Sequence, residues 1–234
     1  MKKILILFAE ILIIVTIIVS VKDIASYSNN YIKTKKIESN LMEIKKNNGK
    51  NIMKEVSKKY DDAVGFIEIT NTRISYPIVQ SDNNSYYLNH SIDKEYNSNG
   101  SIFLDYRNKN DFTDDNSVIY GHNMKSGKQF HDLKMLKSQE FYNKNKNIKI
   151  TINSLSKVYL IYSVYTAEPN YSYREINFNT EEDKIQFIKN TSENSIVNAD
   201  DFIINNDINK KKLITLSTCS DDGTERIVVH AIEK

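Results

Sequence analysis

The sequence predicts a mainly β domain carried behind a helical N-terminal segment. Three observations lead there. From residue 64 onward, short runs rich in Ile, Val, Tyr and Phe alternate with clusters of Asn, Asp, Ser and Lys, the punctuation of strands and turns. Only two segments in that region carry helical spacing. The residues before 61 follow another pattern, an apolar run and then a Lys- and Asn-rich stretch with apolar positions at helical intervals.

After Met1-Lys2-Lys3, residues 4–21 read ILILFAEILIIVTIIVSV, interrupted only by Glu10, Thr16 and Ser20. About 18 helical residues cover roughly 27 Å, enough to cross a bilayer core. Glu10 opposes insertion by about 3 kcal/mol. About fourteen Ile, Leu, Val and Phe side chains favour it by roughly 6 kcal/mol, so insertion wins. The run is long for a signal peptide, and no small-x-small cleavage site follows it. Residues 1–25 are expected to be an uncleaved transmembrane anchor, single-pass in the cell membrane, with the following domain outside.

Residues 26–60 are expected to form a stalk of two short amphipathic helices. Ile37, Leu41 and Ile44 recur at helical spacing, as do Ile52 and Val56 beyond the Asn48-Gly49 break. Residues 61–234 form the domain. Its expected strands are 64–69, 74–79, 101–106, 117–122, 148–152, 157–165, 212–218 and 226–232. About eight such strands suggest a closed barrel or a sandwich. Pro77 cannot donate to a ladder, which argues for an edge or a bulge in the second strand. The helical inserts are 130–136 and 180–190, the second opened by Thr180 with Asp183 three residues on, in imitation of a capping box.

Composition narrows the function. A net charge of +2 builds no basic field for nucleic acid, so none is expected as a partner. Six glycines and no Gly-rich loop argue against nucleotide binding. The single cysteine excludes an internal disulfide and a multi-cysteine zinc site.

That cysteine, Cys219 in TLSTCSDDGTERIVVH, ends a strand and opens a loop, where a side chain can be exposed. Thiol chemistry needs a base, a proton donor for the leaving group, and positive charge where an oxyanion develops. Arg226 begins the next strand, and the hairpin returns it towards Cys219 as a permanent cation with several donors. Among the histidines, His122 ends a strand behind Gly121. His90 and His131 read as surface residues and His230 as a barrel-face residue. Placement alone leaves His122 balanced against the other three.

Together, TLSTC at 215–219, Arg226 in the following strand and YGHN at 120–123 resemble the sortases of Gram-positive bacteria. The segments NTRISYPIVQSDNNSYYLNHS, GSIFLDYRN and RIVVHA, with the helix before the cysteine strand, resemble class B; the likeness covers roughly residues 61–234. The resemblance implies an eight-stranded sortase-type β-barrel with helical inserts, preceded by a transmembrane helix and helical stalk. It implies a cysteine transpeptidase without metal or cofactor. Cys219 would attack the threonine carbonyl of a C-terminal sorting signal on a secreted protein. His122 would serve the leaving and incoming amines, and Arg226 the signal backbone and oxyanion. The acceptor would be the amine of a peptidoglycan precursor of the lipid II type. By the same likeness Ser217, Asn84, Leu88 and Tyr171 would contact the signal, and Asp221 would assist as an auxiliary group.

Two other functions fit parts of the pattern. A class B polymerase of pilin subunits would use the same residues with a lysine acceptor. A membrane-tethered binding module would use Cys219 only as packing.

Overall fold

The computed structural model describes residues 2–48, 51–200, 202, 207–219 and 223–234, and for Lys2, Leu5, Asn48 and Cys219 the backbone alone. The chain forms two compact units, Met1–Asn47 and Asn48–Lys234.

The first unit is one helix, α1 (Lys2–Asn48). The apolar segment and the first stalk helix, expected as separate pieces, are continuous. The reason is local: neither glycine nor proline occurs before Gly49, so nothing breaks the helical ladder. Lys45 and Lys46 occupy its last turn, where cations complement the helix dipole. Its side chains from Ile6 to Val21 are exposed. Counted over described residues, no helix is long and apolar enough to cross a membrane.

The second unit opens with α2 (Ile52–Lys59), which buries Ile52, Met53 and Val56 and packs against the first strand. This segment, read from sequence as stalk, thus belongs to the same unit as the barrel.

Eight strands follow: β1 (Ala63–Ile69), β2 (Ser75–Val79), β3 (Phe103–Leu104), β4 (Asn116–Tyr120), β5 (Asn147–Ile152), β6 (Leu155–Ala167), β7 (Leu213–Cys219) and β8 (Arg226–Glu233). They close into a barrel in the order β1-β2-β3-β4-β7-β8-β6-β5. The pairs β2–β3 and β4–β7 are parallel and the others antiparallel. Alternation sends Ile119, Val164, Ile214, Leu216, Ile227 and Val229 into one interior core.

Pro77 lies where β2 pairs with β1 alone, since β3 meets β2 only at Val79. Its missing N–H therefore costs no ladder bond. The expected third strand, 101–106, shrinks to Phe103–Leu104. Asp105 turns the chain by accepting hydrogen bonds from the Arg107 backbone N–H (3.0 Å) and from its Nε and Nη2 (both 2.9 Å).

The insert at 130–136 is a 3₁₀ helix, Phe130–Lys137. A short helix missed in the sequence, α3 (Gln139–Lys144), follows it behind a Ser138 cap. The helix α4 (Glu181–Glu193) carries the anticipated capping box: Thr180 Oγ1 accepts from Asp183 N–H (3.0 Å) and Asp183 Oδ2 from Thr180 N–H (3.1 Å).

Candidate active site

The sheet formed by β4, β7, β8 and β6 has a second face, outside the barrel. The long crossover from β6 to β7 covers its middle through Tyr173, Phe187 and Ile208. On this outer face the register stacks residues in cross-strand rows.

The first row is polar and sealed. His230 is fully buried between Tyr165 Oη on Nε2 and Thr215 Oγ1 on Nδ1, both at 2.9 Å. Asn116 Nδ2 donates to Glu175 O (2.7 Å), so its Oδ1 is the acceptor for the Thr215 hydroxyl proton (3.0 Å). Thr215 therefore accepts from His230 Nδ1–H, and Nε2 accepts from Tyr165. Every bond in this chain runs one way. Burial alone pushes the His230 imidazolium down to a pKa of about 3. The expected barrel-face role fits this closed network.

The second row sets Tyr165, Val228, Ser217 and Tyr120 side by side. Ser217 Oγ, buried, is 2.9 Å from Tyr173 Oη. Tyr120 Oη donates to Asp105 Oδ2 (2.8 Å). Burial raises the Asp105 carboxyl, but bonds from Arg107 and Tyr120 outweigh it and hold the group below the usual carboxylate range.

The third row emerges at the barrel rim. Arg226 pairs with Cys219 on one side and Ala167 on the other. The paired part of β4 ends at Tyr120, opposite Ser217, two residues before His122. The bond from Gly121 N–H to Ser217 O (3.3 Å) completes that last pair, and His122 follows just beyond it. His122 thus follows the end of β4, beside β7, whose last residue Cys219 pairs with Arg226, although the chain places the histidine far from the cysteine.

His122 is tightly positioned. Its backbone N–H donates to Gln129 Oε1 (2.9 Å), and its carbonyl accepts from Phe130 N–H (3.0 Å). Gly121 allows the approach, because a Cβ there would lie 2.8 Å from the Phe130 ring. The His122 Nε2 is 2.8 Å from Leu88 O. A carbonyl only accepts, so Nε2 is the donor in this contact and Nδ1 is the nitrogen left facing away from it.

A groove of about 230 Å³ runs along this row, lined by Asn84, Leu88, His122, Tyr173, Arg174, Ser217 and Arg226 among others. Of the residues assigned to substrate contact, Asn84, Leu88 and Ser217 line it. Asn84 also accepts from the Tyr106 backbone N–H (3.0 Å). Tyr171 does not line it. It borders a neighbouring polar pocket of about 420 Å³ that shares Asn84, Tyr120 and Arg174 with the groove. Asp221 lies outside the described residues.

Sequence reasoning missed Tyr173 and Arg174, which wall the groove with a guanidinium 5.1 Å from the tyrosine ring centroid. The only signal was the local run of tyrosines and arginine in YSYR. His90 and His131 stay outside the groove. His90 stacks on Tyr86 with ring centroids 4.0 Å apart.

Comparison with known proteins gives a consistent result. A model of the sortase domain matches residues 67–234. The chain is similar to sortase B of Staphylococcus aureus, at 31% identity over 99% of this chain and 97% of that protein. It is similar to sortase B of Listeria monocytogenes, at 34% identity over 73% of this chain and 68% of that protein. Among solved structures, a sortase B complexed with triglycine superposes with a TM-score of 0.77 at 27% identity, covering 88% of this chain and 98% of that one.

Proposed function

The chain belongs to the sortase family, as a class B member and a cysteine transpeptidase, and from that premise we propose how its own residues divide the reaction. The observation that carries the proposal is that His122 and Arg226 line one groove and that Arg226 pairs across the ladder with Cys219. The Cys219 thiolate attacks the carbonyl of a threonine in the C-terminal sorting signal of a secreted protein. Arg226 stabilises the oxyanion, since a fixed cation acts where charge develops in the transition state. When the tetrahedral intermediate collapses, the leaving amine takes its proton from His122 Nδ1. A thioester remains on Cys219.

An incoming amine then attacks the thioester carbonyl, gives its proton to His122 Nδ1, and displaces the thiolate. The Leu88 carbonyl holds Nε2–H throughout, so one nitrogen serves both transfers without a ring flip. Asn84, Leu88 and Ser217 border the path of the signal in this scheme, with Tyr171 beside it. The acceptor is the amine of a peptidoglycan precursor of the lipid II type; a sortase B has been solved in complex with triglycine, a short peptide with a free amine. The product is a protein joined covalently to the wall. Residues 4–21 hold the enzyme in the cell membrane with the barrel outside, on the strength of their apolar sequence.

The test is direct. The full chain is incubated with a panel of sorting-signal peptides, and thioester and cleaved product are followed by mass. A Cys219→Ala enzyme that still cleaves any of them refutes the scheme.

A further inference from the structure

The outer edge of β6 is free where the reaction needs a second entrance. Pairing with β5 ends at Leu160. Beyond it, Val164 N–H donates to Ser195 Oγ (3.2 Å) and Val164 O accepts from Ile196 N–H (2.8 Å). Both main-chain groups of Val164 thus point away from β8. Residues two apart in an antiparallel ladder point the same way, so the N–H and C=O of Thr166 also leave the sheet on that side. Among the described residues nothing across that edge takes them.

On this side of β6, Thr166 borders a cavity of about 570 Å³ together with Ala167, Glu168, Tyr171 and Asn194. Tyr171 Oη accepts from Asn194 Nδ2 (2.8 Å), and Tyr171 also borders the polar pocket beside the groove. Glu168 is exposed and its carboxylate has no ion-pair partner among the described residues. Ala167, next to it, is the β6 member of the row that contains Arg226 and Cys219.

We propose that this cavity is the docking subsite of the acceptor peptide, held by a one-residue β-bridge to Thr166 with its amino end passing Glu168 towards Arg226 and Cys219. The proposal rests on the transpeptidase reading above. Three features select this occupant. A bare edge amide and carbonyl recognise main chain and ignore side chains, which suits an unbranched glycine-type peptide. The Glu168 anion offsets the repulsion that Arg226 exerts on an approaching ammonium. Three strand spacings separate the bridge position from residue 219, about 14 Å, which four or five extended residues cross. The first substrate, meanwhile, occupies the groove on the His122 side. The two substrates then reach one carbonyl from opposite ends of the row.

The experiment is a titration of the full chain in detergent micelles with triglycine and with N-acetyl-triglycine, read by amide NMR. Saturable shifts are expected across Thr166 to Ser172, and equally in Cys219→Ala, so a failure of the thiol scheme cannot imitate a failure of this site. Thr166→Pro deletes an N–H that the β6–β8 ladder does not use, and should weaken binding about tenfold, the worth of one hydrogen bond. Glu168→Gln should weaken triglycine about threefold to tenfold at low salt and leave N-acetyl-triglycine unchanged. If Thr166→Pro does not fold, the Glu168→Gln comparison decides. Shifts confined to Leu88 and His122, no saturable shift, or equal binding of both tripeptides would overturn the proposal.

Discussion

His230 makes the barrel's stability depend on pH from about 6.5 downward, a window whose upper part lies above the range where carboxylates titrate. In the folded chain its pKa falls to about 3, from an unfolded value of 6.5, because the ring is fully buried. The sign follows from proton binding. Below pH 6.5 the unfolded chain takes up a proton that the folded chain refuses, so acid favours unfolding. The stability is fully present above 6.5 and is lost progressively as pH falls towards 3. With about 1.36 kcal/mol per pH unit, the loss is about 2 kcal/mol at about pH 5 and about 3 kcal/mol at about pH 4. The geometry leaves no easy escape, since Nε2 must accept from Tyr165, and an imidazolium would have to evict that proton. The assay is urea unfolding of the full chain and of His230→Gln at about pH 7.5 and about pH 5, followed through the near-ultraviolet tyrosine signal. Contributions of the other histidines cancel in the difference. His230→Gln should be less stable at the higher pH, and the gap should narrow by about 2 kcal/mol at the lower one. A gap that stays constant refutes the assignment of a neutral buried His230.

Four further outcomes are expected. Cys219→Ala should abolish thioester formation with urea stability nearly unchanged, and His122→Ala should be severe where His90→Ala and His131→Ala are mild; peptide turnover checks each. Arg226→Lys keeps the charge but loses the planar fork, and should lower kcat on the order of 10²-fold. Gly121→Ala would press a methyl against the Phe130 ring, at 2.8 Å, and should cost about 1–3 kcal/mol, seen as a lower thermal midpoint, with turnover reduced because His122 is the next residue.

Much of the fold was legible because its signals are local. Each of the eight strands was visible as a β-branched or aromatic run, and the α4 cap as Thr180 with Asp183. What escaped depends on side chains taking over main-chain bonds. Asp105 cut the third strand short by binding Arg107, and Ser138 started α3. The α1 boundary was misread for the opposite reason, a change of composition without any residue that ends a helix.

The site shows the same division. The hairpin joining β7 to β8 makes Cys219 and Arg226 neighbours by a local return of the chain, so their pairing could be inferred from spacing. The partnership of His122 with them depends on the parallel pairing of β4 with β7, a contact that only a long crossover permits. Once that register is set, parity does the remaining work. Asn116, Val118 and Tyr120 share a face with Thr215 and Ser217 because both strands alternate with period two. A slip of one residue would turn the polar row into the Ile119 and Leu216 core and send the apolar residues out. The buried chain from Tyr165 through His230 and Thr215 to Asn116 resists that slip, since each member would lose its partner on the neighbouring strand. The same register that seals His230 therefore also brings the end of β4, and His122 just beyond it, beside the end of β7, so the buried network and the groove are built on one alignment of strands.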